Sequence, residues 1–81
     1  MKQPTLGDLA EIVGSYVDLS SVRVTEETAF GDDIPIDSQD MLRVLSRIQA
    51  LYRIKFEAKD VLRIATMGDL LASVRRHTES L

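Results

Sequence analysis

The sequence contains no cysteine. Neither disulfides nor thiolate metal sites can hold the chain together, and a cysteine nucleophile is excluded. There is a single histidine, His77, so no two histidines stand at metal-ligating spacing and no metal site is expected. A Ser-His-Asp triad would need His77 to reach a serine on another element, and nothing in the spacing supports that. No glycine-rich phosphate loop is present, and no segment alternates oxygen ligands toward a closing glutamate as a calcium loop does. No apolar run approaches the roughly 18 residues of a membrane span. The opening Met1-Lys2-Gln3-Pro4-Thr5 lacks the apolar centre of a signal peptide. These absences suit a reducing compartment, and the expected location is the cytoplasm. No catalytic residue is expected: the chain reads as something other than an enzyme.

What is present is a chain of 81 residues with a formal net charge of −3. That length fits one domain over residues 1–81 and leaves little interior for a deep cleft. The charge is uneven. Lys2 and Arg23 face seven carboxylates in residues 1–33, whereas Arg43, Arg47, Arg53 and Lys55 outnumber Asp37 and Asp40 in residues 37–56. An acidic chain with one mildly basic segment is a poor nucleic-acid ligand, because neutralising phosphates takes many cations. The acidic pairs Glu26-Glu27 and Asp32-Asp33 read as loop solubility and turn chemistry.

Hydrophobic spacing predicts helices. Leu6, Leu9, Ile12, Val13, Tyr16 and Val17 recur at three and four residues, giving a helix over about 5–17 capped by Thr5 with Asp8. Residues 18–36 show no sustained period and read as a long loop, yet Val22, Val24, Phe30, Ile34 and Ile36 anchor it to the domain. A second helix, 38–53, places Met41, Leu42, Leu45, Ile48, Leu51 and Tyr52 on its apolar face, Val44 at the margin, and Arg43 and Arg47 opposite. Asp37 occupies its cap position and Asp40 its first turn. A short helix, 58–63, contributes Val61 and Leu62, with Ile64 packed beside it. Thr66 with Asp69 caps a last helix over 67–77 with Met67, Leu70, Leu71 and Val74 inward. His77 reads there as a solvated helix-end residue, and Thr78 to Leu81 as a frayed tail. The predicted fold is all-α: a small four-helix bundle of three longer helices and a short one, with no strand and one long first crossover.

Asp37-Ser38 at the start of the second helix has two readings. Serine and aspartate are common helix caps. The pair also follows a long anchored loop and sits where a helix N-terminus offers unpaired N–H groups and positive potential, a favourable place for a phosphodiester.

Across nearly its whole length the chain resembles the acyl carrier protein family. The family's centre is Asp-Ser-Leu-Asp, and this chain has Asp37-Ser38-Gln39-Asp40. The family pattern continues through Leu42, Leu45, Ile48 and Tyr52, then Ile54-Lys55-Phe56, Val61, Ile64, Ala65-Thr66-Met67 and Leu70-Leu71, with Phe30 as the loop aromatic. The resemblance implies 4′-phosphopantetheine, drawn from coenzyme A by a separate phosphopantetheinyl transferase that uses magnesium, on the Ser38 hydroxyl, with Asp37 and Asp40 positioning that reaction. It implies acyl cargo held as a thioester in fatty acid, lipid or polyketide-like biosynthesis, enzymes that load and use the cargo docking on the second helix, and a monomer. Leu42, Leu45, Ile48, Ile64 and Leu71 would surround a folded-back aliphatic cargo, or simply pack the core.

The chain departs from the pattern in two places. Gln39 replaces the usual leucine, which is generally a partner contact. Ile34-Pro35-Ile36 replaces the usual glycine-containing approach to the motif. The family's second helix is normally acidic, but this one exposes Arg43 and Arg47. They are either a solvated face or, with Gln39, the partner contacts of a specialised carrier. Two alternatives stay open. One is an aminoacyl or peptidyl carrier, ranked lower because its Gly-Gly-(His/Asp)-Ser centre is absent. The other is a helical interaction module without a prosthetic group.

Overall fold

A computed structural model describes residues 3–79. Four helices follow in chain order: α1 (Leu6–Gly14), α2 (Ser38–Tyr52), α3 (Ala58–Leu62) and α4 (Met67–Glu79). No strand forms among the described residues. The alternating Val22-Arg23-Val24 finds no partner, and only single backbone pairings occur, Ala29 with Thr66 and Phe30 with Ile34.

Helix starts follow the expected chemistry. Thr5 Oγ1 accepts from the Asp8 N–H at 3.1 Å while Asp8 Oδ2 accepts from the Thr5 N–H at 3.0 Å. Thr66 and Asp69 make the same reciprocal pair at α4. Each pair satisfies two backbone donors that a helix end leaves unmet. Helix ends differ from expectation. α1 stops at Gly14, because Ser15 caps it and the chain turns back through Tyr16 N–H to Val13 O at 3.0 Å. The apolar period runs on to Val17 because that residue packs on the core from the turn. α2 ends where Arg53 adopts the left-handed region, φ 55°, the usual closing conformation of a helix. α4 continues through Thr78 and Glu79, beyond the expected fray. Arg75 Nε donates to Pro4 O at 3.3 Å and Thr78 Oγ1 to Gln3 Oε1 at 3.1 Å, tying this end to the start of the chain. Residues 80 and 81 of the expected tail lie outside the described residues.

The core joins Leu9 and Val13 of α1, Val44, Leu45 and Ile48 of α2, and Met67, Leu70, Leu71 and Val74 of α4, with Ile34 from the loop and Phe56 before α3. α1 lies against both α2 and α4. Several assignments change. Val44 is fully buried, not marginal, in the core that also holds Ile34 of the loop. Leu42 is 63% exposed, Leu51 45% and Leu62 87%, so the α2 face is narrower than its leucines suggest. α3 turns Asp60 inward, not Leu62, and Phe56 is buried just before it.

The long loop is held by its backbone. Phe30 N–H donates to Ala65 O at 2.9 Å, Met67 N–H to Thr28 O at 2.9 Å, and Gly68 N–H to Glu26 O at 2.8 Å. The last two bonds supply acceptors to the first turn of α4. Gly68 permits the approach, since a Cβ there would lie 2.8 Å from Glu26 O. Thr28 is buried and stitches the loop internally, accepting from Thr25 N–H at 2.8 Å and donating to Arg23 O at 3.0 Å. Asp33 Oδ2 accepts from Ala29 N–H at 2.8 Å, closing the turn in which Gly31 takes φ 92°. This fixed loop delivers the chain to the start of α2.

Candidate functional site around Ser38

Ser38 is the first residue of α2, and it is exposed. Capping falls entirely to its neighbour. Asp37 is extended, and its Oδ1 accepts from the Asp40 N–H at 2.8 Å. The Ser38 hydroxyl therefore has no capping duty, and no described residue hydrogen-bonds to it. This bears on the two readings of the pair: aspartate is the cap, and serine is left presented at the positive end of a fifteen-residue helix. Asp37 Oδ2 is likewise without a hydrogen bond among the described residues. Asp40 is turned partly inward and holds Arg43 at 3.2 Å.

Beside Ser38 lies an open groove of about 370 Å³. Phe30, Gly31 and Ile36 of the loop form one wall, Met41, Leu42 and Leu45 of α2 the floor, and Val61 with Ile64 the far side. Of the five residues expected around an aliphatic cargo, the structure brings Leu42, Leu45 and Ile64 together here. Ile48 and Leu71 do not join them, being buried in the core below. Phe30, Ile36, Met41 and Val61 were not singled out as groove residues. The helical spacing Ser38–Met41–Leu45 gives a signal for Met41, but Phe30 and Ile36 arrive by the course of the loop, which has no period to read.

Gln39 is exposed beside Ser38. Arg43 and Arg47 are exposed one turn apart on α2, as their spacing requires. They border shallow concavities shared with Tyr16 of the turn after α1.

His77 is not a free, solvated helix end but is partly buried. Its Nε2 lies 3.0 Å from Asp60 Oδ2, and its ring meets Phe56 edge-on with centroids 5.7 Å apart. Asp60 is buried, and it also accepts from Arg76 at 2.8 Å and from the Glu57 N–H at 2.9 Å. The Glu57 backbone bond, helped by His77 and Arg76, holds its carboxyl below the ordinary value against the opposing effect of burial. This cluster fixes α3, and so the Val61–Ile64 wall of the groove, to α4.

Among the described residues no helix is long and apolar enough to cross a membrane, and no three histidine, aspartate or glutamate side chains gather as a metal site. No family model matches the chain. Among curated proteins it is similar to the meromycolate extension acyl carrier protein of Mycolicibacterium aurum, 30% identical over 78 residues, which is 96% of this chain and 80% of the relative. It is similar to the acyl carrier protein of Kineococcus radiotolerans, 30% identical over 73 residues and 90% of each chain. The meromycolate extension acyl carrier protein of Mycobacterium tuberculosis is 26% identical over 78 residues, 96% of this chain and 68% of that one.

Proposed function

The chain belongs to the acyl carrier protein family and is an acyl carrier, and from that premise we propose that its cargo is borne on a 4′-phosphopantetheine arm at Ser38. The observation that carries this reading is the hydroxyl of Ser38, exposed at the N-terminus of α2 and released from capping by Asp37. A hydroxyl so placed is accessible to a transferase, and the phosphodiester formed on it would sit in the favourable field of the helix end. The residues fit the group on a second count: the groove of about 370 Å³ opens directly beside the attachment point.

The arm, when attached, supplies the terminal thiol that this cysteine-free chain lacks, and with it the thioester. The chain's own residues do the rest. Asp37 fixes the backbone from which Ser38 projects. Its second oxygen has no hydrogen bond among the described residues and would be available to magnesium at the transferase. Asp37 and Asp40 are two carboxylates, fewer than a metal needs, so the transferase would supply the remaining ligands. Leu42, Leu45 and Ile64, with Met41 and Phe30, offer an apolar lining to an aliphatic cargo. Each methylene withdrawn from water there would contribute up to about 0.8 kcal/mol. The relatives named for meromycolate extension favour a lipid acyl chain over an aminoacyl or peptidyl one. Loading and consuming enzymes would meet the chain at α2, near Gln39, Arg43 and Arg47.

Intact mass spectrometry after incubation with coenzyme A, magnesium and a promiscuous phosphopantetheinyl transferase tests the reading. One phosphopantetheine is expected on the wild type and none on Ser38→Ala. No addition would leave a helical interaction module without a prosthetic group as the alternative, and addition to both would place the arm on a residue other than Ser38.

A further inference from the structure

The exposed face of α2 continues away from Ser38 as a connected strip. Leu42 lines both the Ser38 groove and the next concavity, and Tyr16 and Arg47 line both that concavity and a third one reaching Leu51. Three large apolar side chains therefore stand in water along one line, Leu42, Tyr16 and Leu51. Exposed apolar residues scattered singly need no explanation, but a contiguous row interleaved with cations does. The cations are unequal. Arg43 is held by Asp40, whereas no described residue pairs with Arg47. Across the third concavity stand Asp8 and Glu11 of α1, and Asp8 is already committed to the Thr5 N–H.

We infer that this strip is the docking surface for a protein partner whose contact face places carboxylates around apolar side chains. The inference deepens the proposed function, since the strip leads a bound partner to Ser38. Charge complementarity selects the occupant. A carboxylate over Arg47 gains a two-pronged, charge-assisted pair, and another can share Arg43 with Asp40. Glu11 repels carboxylates from the α1 side, so the partner's acidic groups belong over the Leu42–Arg43 side. A basic partner would bring its cations onto two arginines and leave Leu42 and Leu51 uncovered. An anionic lipid surface is disfavoured, because two arginines attract it weakly and the whole chain carries −3. That same net charge opposes long-range attraction of an acidic partner, so recognition is local, with apolar contact and arginine pairing acting together.

The test uses the Ser38→Ala full-length chain, so that docking is read without any arm and independently of the attachment experiment. Three probes are titrated into ¹⁵N-labelled protein: a helical peptide with glutamates flanking a leucine stripe, its twin with lysines for glutamates, and phosphatidylglycerol vesicles. The acidic peptide is expected to shift the amides of Leu42, Arg43, Arg47 and Leu51 and to bind about tenfold more weakly to Arg43→Gln/Arg47→Gln. Its affinity for the control Arg23→Gln, on the loop, should be unchanged. Equal or tighter binding of the lysine peptide, shifts mapping elsewhere, vesicle binding on the strip, or no binding of the acidic peptide would each overturn the inference. Transfer of phosphopantetheine to wild type is scored separately, so either result can fail alone.

Discussion

His77 Nε2 donates a hydrogen bond of 3.0 Å to Asp60 Oδ2, joining the last turn of α4 to the first turn of α3. An ionised carboxylate only accepts, so the proton lies on Nε2. His77→Ala removes this bond and the edge contact with Phe56. The expected loss is on the order of 1 kcal/mol in urea unfolding. Amide exchange should quicken in α3 more than in α1, because the fastening of α3 is what is lost. Uniform quickening would count against this role.

The acid limb of stability follows from three carboxyls. Asp60, Asp69 and Asp18 are each held below the ordinary value of 3.8, first by backbone N–H bonds from Glu57, Ala65 and Ser20 respectively. A depressed folded-state value means the unfolded chain takes up protons first. Their stabilisation is therefore complete above 3.8 and fades as pH falls through the lowered values. Asp60→Asn should flatten the decline of stability with falling pH, measured by urea unfolding across the acid range. An unchanged slope would remove Asp60 from the list.

Substitution at the start of α2 separates fold from modification. Asp37→Ala is expected to cost about 1 kcal/mol of stability through loss of the cap. Ser38→Ala should leave thermal unfolding nearly unchanged, since its hydroxyl bonds to no described residue, while abolishing the mass addition. If Ser38→Ala destabilised the chain as much as Asp37→Ala, serine would be sharing the cap.

Two aliphatic residues on α2 should respond in opposite ways. Ile48 is fully buried, and Ile48→Ala is expected to cost about 2–5 kcal/mol. Leu42 is largely exposed, and Leu42→Ala should stay within about 0.5 kcal/mol. Side-chain spectra of the wild type should also be recorded with and without a saturated acyl chain loaded. Cargo entering the groove should shift Leu42, Leu45 and Ile64 side-chain resonances well beyond those of Leu71, and equal shifts would place the cargo elsewhere.

Gly68 inverts a familiar rule. Replacing a helical glycine by alanine usually stabilises by up to about 1 kcal/mol. Here the new methyl would meet Glu26 O at 2.8 Å and Glu26 Cβ at 3.0 Å. Gly68→Ala is expected to destabilise by about 1–3 kcal/mol. A gain in melting temperature would mean that the loop yields without cost.

Much of this fold was legible because its determinants are local. The spacing of Leu9 and Val13, of Leu45 and Ile48, and of Leu70 and Val74 follows the helical period, and Thr5-Asp8 and Thr66-Asp69 state their caps within four residues. The place of Ser38 at the start of α2 was legible from its motif and from the register of the helices around it. What escaped the sequence was tertiary. Val44 joins a core that also takes Ile34 from a loop with no period to read. The exposure of Leu42, Leu51 and Leu62 depends on which faces remain uncovered. His77 fits the local rule for a helix-end cation equally well whether or not a buried aspartate waits beside it, and Asp60 lies a helix away in the chain.

The bonds from Met67 and Gly68 to Thr28 and Glu26 also govern the order of assembly. The first turn of α4 obtains these acceptors only when a segment far back in the sequence has come to rest against it, so closing that long span and completing the helix are one event. A bundle assembled from neighbouring hairpins alone would fold with few distant contacts. This one should fold more slowly than its helical content suggests, with α4 frayed at its start in any species where the crossover is still loose.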